Sequence, residues 1–230
     1  MDTRRDPVRG HLAIDHEAVY EQRFAEREGP QRAAMWREIA RFLQRFVPPD
    51  SVVLDLAADQ GLFIANIKAR ERWATDIRDT SRHMPDGVRF VQGDGLALRE
   101  VLPPAYFDRV FTSNYLEHLP SPDAVVEQLR VVHDLLVPGG QAIILQPNIR
   151  LVGAAYWDFI DHRTALTERS LVEAAQIADL RPVRTIVRFL PYTTKSRLPS
   201  APLLVRAYLA LPIAWRLLGK QTLLIAERAA

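Results

Sequence analysis

The chain contains no cysteine. That excludes a disulfide scaffold, a thiolate metal site and a cysteine nucleophile, and it is compatible with a reducing compartment. An excess of one charge is also missing. Lys and Arg number 30 against 28 Asp and Glu, a net charge of +2, so nucleic acid is not expected as a partner even though the sequence pI is near 9.1. No apolar run follows the charged start MDTRRDPVRG, so a secretory signal is not expected and the cytoplasm is the expected location. Internal repeats and low-complexity linkers are lacking as well. What remains is ordinary globular composition, 48% hydrophobic and 25% charged over 230 residues, enough to bury one sizeable core.

Residues 1–50 read as a helical extension, in which Met35, Ile39, Phe42 and Phe46 share a face and Arg37, Arg41 and Arg45 share another, until Pro48 and Pro49 stop it. A core follows over 51–190. SVVLDLA at 51–57 reads as a strand, ADQG as a turn, and Leu62, Ala65 and Ile67 as a helix. ERWATDI (71–77), VRFVQGD (88–94), FDRVFTS (107–113) and GQAIILQ (140–146) are further strands. A helix over 122–136 begins at Pro122, carries Val125, Leu129, Val132 and Leu136 on one side, and ends before PGG. Thr167 caps a helix through Leu171, Ala174, Ala175 and Ala178, and PVRTIVRFL (182–190) is a strand. A proline-interrupted, leucine-rich insertion spans 191–219 and a last strand spans 220–230. This is one α/β domain, a doubly wound sheet of parallel strands covered on both faces.

In such sheets ligands bind beyond the carboxyl ends of the strands. Strand one delivers Asp55 and then the turn with Gly61, whose amides open the next helix. Strand two ends in Asp76, at a spacing from Asp55 that suits a carboxylate on the two hydroxyls of an adenosine ribose. Strand three ends in Gly93, Asp94 and Gly95, and strand four in Ser113, Asn114 and Tyr115.

The ordered segments VVLDLAADQG, WATDI, FVQGDG, FDRVFTSNYLEHLPSP and LLVPGGQAIILQPN resemble the class I S-adenosylmethionine-dependent methyltransferases, in particular small bacterial ones with an E-H-L segment after strand four. The resemblance spans roughly residues 15–190. It implies a seven-stranded Rossmann-like sheet whose last strand is antiparallel, with S-adenosylmethionine as cofactor and methyl transfer to a small molecule such as a sugar, lipid or secondary-metabolite hydroxyl. It also implies that Asp76, followed by Ile77, holds the ribose, that Asp94 and Gly95 meet the adenine, and that Asn114 and the backbone near Leu116 flank the methionine part. Tyr20 and Arg23 on the N-terminal extension correspond to residues that reach the cofactor carboxylate.

The usual G-x-G-x-G after the first acidic residue is reduced here to Gly61, with Ala57 and Asp59 in the other glycine places. A positive backbone angle forced on Ala57 would cost about 1 kcal/mol or more, and Asp59 can pair with the cofactor's ammonium or repel its carboxylate. Two other readings therefore stand: a reaction that uses the sulfonium without methyl transfer, such as an intramolecular displacement or cyclisation, and a binding protein on a decayed fold. A nicotinamide dehydrogenase is disfavoured by the lack of G-x-G-x-x-G.

For a hydroxyl acceptor, His118 is the first candidate base and His162, beside Asp161, the second, the adjacent carboxylate orienting its ring. Asp55 reads as a loop organiser. Asp158, Asp161 and His162 have helical spacing but lack a fourth ligand, so no metal is expected. The 201–219 stretch, too short and too interrupted to span a bilayer, is read as a lid or packing element, then as a homodimer contact, then as a peripheral membrane contact.

Overall fold

In the computed structural model, which describes residues 29–192 and 201–229, seven strands form one sheet in the order β3-β2-β1-β4-β5-β7-β6. They are β1 (Val52–Leu56), β2 (Glu71–Asp76), β3 (Val88–Gln92), β4 (Phe107–Ser113), β5 (Leu136–Pro147), β6 (Leu180–Ile186) and β7 (Gln221–Arg228). The first five pair in parallel, while β7 is inserted antiparallel between β5 and β6. The expected architecture therefore holds. Tyr20 and Arg23 lie outside the described residues. Among the described residues, no helix is long and apolar enough to cross a membrane.

Alternation along each strand sends side chains to two cores. Leu54 and Leu56 join a cluster covered by α2 (Pro122–Leu135) and α4 (Glu168–Ile177), and Val53, Phe111 and Ile143 join one covered by α1 (Pro30–Leu43). The Thr167 cap read from sequence is formed, and Ser121 caps the other helix. Ser121 Oγ accepts from the Ala124 amide ahead of Pro122, and Thr167 and Ser170 make a reciprocal capping box.

The helix expected after β1 is absent. Between Leu56 and Glu71 the chain makes only turns and a 3-10 turn at Ile64–Asn66. Of the three residues whose spacing suggested a helix, only Ile67 is buried, together with Phe63 and Ile64, against Ile39, Phe42 and Leu43 of α1, whereas Leu62 is half-buried and Ala65 exposed, so the extension covers this face of the sheet. The buried Asp55 Oδ2 accepts from the Ile64 amide at 3.3 Å and fixes the turn. Strand β5 also starts earlier than expected. Helix α2 passes at Leu136 directly into the strand, and the PGG segment lies within it, beside a register shift against β4 between Phe107 and Arg109.

The insertion folds into two short helices, α5 (Pro202–Ala210) and α6 (Pro212–Leu218), each begun by its proline. Tyr208 Oη donates to the Phe189 carbonyl at 2.6 Å and Trp215 Nε1 to the Tyr208 carbonyl at 2.9 Å. Trp215 also meets Phe42 edge-on, which ties this hairpin to α1. A further short helix, α3 (Ile149–Val152), follows β5.

Candidate functional site

The carboxyl ends of β1, β2, β3 and β4 open into a cavity of about 680 Å³, a size that suits a cofactor together with a small acceptor. Ten of the candidate cofactor-binding and catalytic residues line it: Asp55, Ala57, Asp59, Asp76 and Ile77 from the first two strand ends, Asp94, Gly95 and Asn114 from the next two, and the side chains of His118 and His162. Gly61 and Leu116 do not. Gly61, with φ +65°, supports the turn from behind, where an added Cβ would stand 2.7 Å from Met84 Sδ. Leu116 is buried in the core between β1 and α2.

At one end the polar groups hold each other. Ala57 and Asp59 keep the left-handed conformation that glycine would adopt, with φ of 57° and 51°, so the loop retains its path at a cost of about 1–2 kcal/mol per residue. That path aims the amides inward to specific acceptors: Ala58 donates to the Thr75 carbonyl at 2.9 Å and Asp59 to Asp76 Oδ2 at 2.9 Å. Asp59 is then bridged by two guanidiniums, Arg32 at 3.1 Å from the start of α1 and Arg78 at 3.0 Å. Arg78 also donates its amide and Nε to Asp76 Oδ1 at 3.0 and 3.3 Å. The charge of Asp59 is thus compensated within the protein. Neither arginine was picked out by sequence reasoning. Arg78 had a local signal, a cation two places beyond a strand-end acid, whereas Arg32 is 27 positions from its partner and had none.

Asp55, a candidate cofactor-binding residue, holds the loop through the Ile64 amide, and burial raises its carboxyl well above the ordinary value. Gly95 is required by a contact that its sequence neighbours do not disclose. An added Cβ would stand 2.2 Å from Tyr115 Oη and 2.5 Å from Gln128 Oε1. Tyr115 donates to Gln128 Oε1 at 2.8 Å and Gln128 Nε2 donates to the Gly95 carbonyl at 3.1 Å, which locks the β3 loop to α2. Asp94 caps the turn that follows, its Oδ1 accepting from the Leu96 amide.

The other end is aromatic and carries the histidines. The carboxylate that adjacency assigned to His162 serves His118: Asp161 stands against His118 Nδ1 with its carbonyl at 3.1 Å and Oδ2 at 3.3 Å. Because a carbonyl can only accept, Nδ1 carries the proton and Nε2 is left as the basic atom. Backbone contacts set this meeting across 43 positions, since the Arg163 and Thr164 amides donate to the Glu117 carbonyl at 2.8 and 3.1 Å. The His162 ring lies 5.1 Å from that of His118 and 4.8 Å from that of Tyr156. Phe159 and Tyr192 close this end, while Trp157 is half exposed and Tyr156 is core, its hydroxyl donating to the Thr164 carbonyl. Glu117 is buried, accepts from Gln146 Nε2 at 2.9 Å, and is pushed above the ordinary glutamate value by that burial. The donor atoms that come within 4.8 Å of one another belong to Glu117, His118 and His162, a different trio from the helically spaced Asp158, Asp161 and His162.

Comparison with known proteins follows the same outline. The profile of a methyltransferase-domain family matches residues 27–185. No curated protein matches the chain. Among solved structures, an S-adenosylmethionine-dependent methyltransferase from Archaeoglobus fulgidus is 17% identical with a TM-score of 0.61, the match covering 93% of this chain and all of that one. Another from Mesorhizobium loti is 18% identical with a TM-score of 0.60, over 81% of this chain and 95% of that one. The [4+2]-cyclase SpnF is 16% identical with a TM-score of 0.59, over 84% and 81%. With a strand order and family profile that agree, the chain belongs to the class I S-adenosylmethionine-dependent methyltransferases, enzymes whose cofactor is S-adenosylmethionine.

Proposed function

We propose that the protein methylates a hydroxyl of a small molecule, of the sugar, lipid or secondary-metabolite kind, held at the histidine end of the cavity. The observation that carries this reading is the His118–Asp161 pair. A hydroxyl must lose its proton as it becomes a nucleophile, and an imidazole whose tautomer is fixed by a carbonyl at 3.1 Å presents Nε2 for that proton.

When bound, S-adenosylmethionine supplies a methyl group on a sulfonium leaving group, so the protein's task is chiefly placement. In this reading Asp76 takes the ribose hydroxyls. Its Oδ2 already accepts from the Asp59 amide and its Oδ1 from the Arg78 amide and Nε, but each carboxylate oxygen has two lone pairs and solvent-facing directions left for the ribose. Asp94 and the Gly95 backbone meet the adenine edge, and the side chain of Ile77, 58% exposed in the open cavity, lies against its face. Ala57, Asp59 and Asn114 flank the methionine part, where Arg32 and Arg78 keep the charge of Asp59 from opposing the cofactor carboxylate. His118 Nε2 would take the acceptor's hydroxyl proton as the oxygen becomes the nucleophile, while Nδ1 stays held by Asp161.

Product analysis tests the proposal. Incubation with methyl-labelled S-adenosylmethionine and a panel of hydroxyl compounds should yield one S-adenosylhomocysteine for each methylated product. The fold likeness to a [4+2]-cyclase favours a second reading, in which the acceptor is rearranged without gaining a methyl group. Conversion of a substrate with no S-adenosylhomocysteine would establish that reading and overturn the first.

A further inference from the structure

The α5–α6 hairpin has two unlike sides. Its inner side is anchored by Leu209, Tyr208 and Trp215 on α1 and Phe189. Its outer side leaves large apolar side chains in solvent: Leu203 is 74% exposed, Leu217 75% and Ile213 62%. So many adjacent apolar groups cost free energy in water and mark a contact surface. The charge around them is of one sign. No acidic residue stands between Asp179 and Glu227, while eight Lys and Arg do, in a chain whose overall net charge is only +2. Three of these cations, Arg206, Arg216 and Lys220, are exposed on the hairpin or at its end. Leu204 and Leu218 belong to both the exposed surface and the cavity wall, so the apolar face continues into the mouth of the site.

We propose that this hairpin seats the protein on an anionic lipid bilayer, with Leu203, Ile213 and Leu217 in the interface and Arg206, Arg216 and Lys220 at the phosphate level. Exposed leucines joined to an acid-free basic segment are what such a surface attracts, since apolar burial and lipid charge act together. A second copy of the chain would complement the leucines but would bring the same cations against one another. The cavity mouth then faces the bilayer. This docking does not depend on the hydroxyl chemistry proposed above, because it is read without turnover.

The full chain should sediment with vesicles of phosphatidylcholine and phosphatidylglycerol, bind at least tenfold more weakly to phosphatidylcholine alone, and dissociate as salt is raised. The double variant Leu203→Glu/Leu217→Glu should lose at least tenfold in vesicle affinity while keeping its melting temperature and its affinity for S-adenosylhomocysteine. Since the chain has no cysteine, Leu217→Cys can carry a single environment-sensitive dye, whose emission should shift to the blue on addition of anionic vesicles. The same dye on Gln176→Cys, on the exposed side of α4, should not respond. Absence of binding to anionic vesicles would overturn the proposal. So would a dimer in solution that the double variant dissociates, which would make the hairpin a self-interface.

Discussion

The two ends of the cavity solve the problem of holding polar groups in opposite ways. At the Asp59 end, carboxylates and guanidiniums from two strand ends and the start of α1 compensate one another, with the loop held in a strained backbone. At the His118 end, two carboxylates and two imidazoles sit among Tyr156, Phe159 and Tyr192, and burial lifts Glu117 with little compensation beyond Gln146 and the neighbouring histidine. The lesson is a division of labour. The ionic end is rigid and closed on itself, as a seat for an invariant cofactor can be, while the histidine end keeps titratable groups available for chemistry.

The largest effect that sharpens this contrast is expected at His118. His118→Gln should lower kcat by about 10²-fold or more and leave S-adenosylhomocysteine affinity unchanged, because its contacts lie at the far end from Asp76. A variant that loses both equally would erase the distinction. Next comes Glu117, whose raised carboxyl makes a signed prediction. Its contribution to stability is complete below the ordinary glutamate value of about 4.3 and is lost as pH rises through the raised value, where the folded protein must carry a buried charge. Glu117→Gln should therefore melt higher than the parent at pH 8, the two curves converging near pH 4, and an amide there can also donate to Gln146 Oε1, which has no partner among the described residues. Curves that stay parallel across that range would contradict the assignment. The smallest effect is at Ala57. Ala57→Gly relieves a φ of 57°, worth about 1–2 kcal/mol less about 0.5–1 kcal/mol for glycine's greater unfolded-chain entropy, so the melting temperature should rise by about 1–3 °C. A fall would mean the loop is not strained.

The same division explains what could be read from the chain. Strand ends were legible because short β-branched runs such as SVVLDLA place their own acids at the tips, and Asp55, Asp76 and Asp94 arrive together in the cavity. Helices with local start signals, at Pro122 and Thr167, were equally legible. The helix after β1 was misread because Leu62, Ala65 and Ile67 match a helical spacing, while the side chains that pack on α1 are Phe63, Ile64 and Ile67. Partners chosen by tertiary approach were not legible: Arg32 for Asp59, Tyr115 for the space beside Gly95, and Asp161 for His118. Adjacency in sequence is a weak guide where the backbone of residues 159–164 folds back onto Glu117.

The central claim is that the Asp76 end of the cavity holds the nucleoside of the cofactor. Calorimetric titration of S-adenosylhomocysteine into the full chain and into Asp76→Ala tests it most directly. The account predicts saturable binding to the parent and about tenfold or greater weakening in the variant, through loss of charge-assisted contacts to the ribose. No heat at millimolar ligand with folded parent protein, or equal affinity in the two, would contradict it.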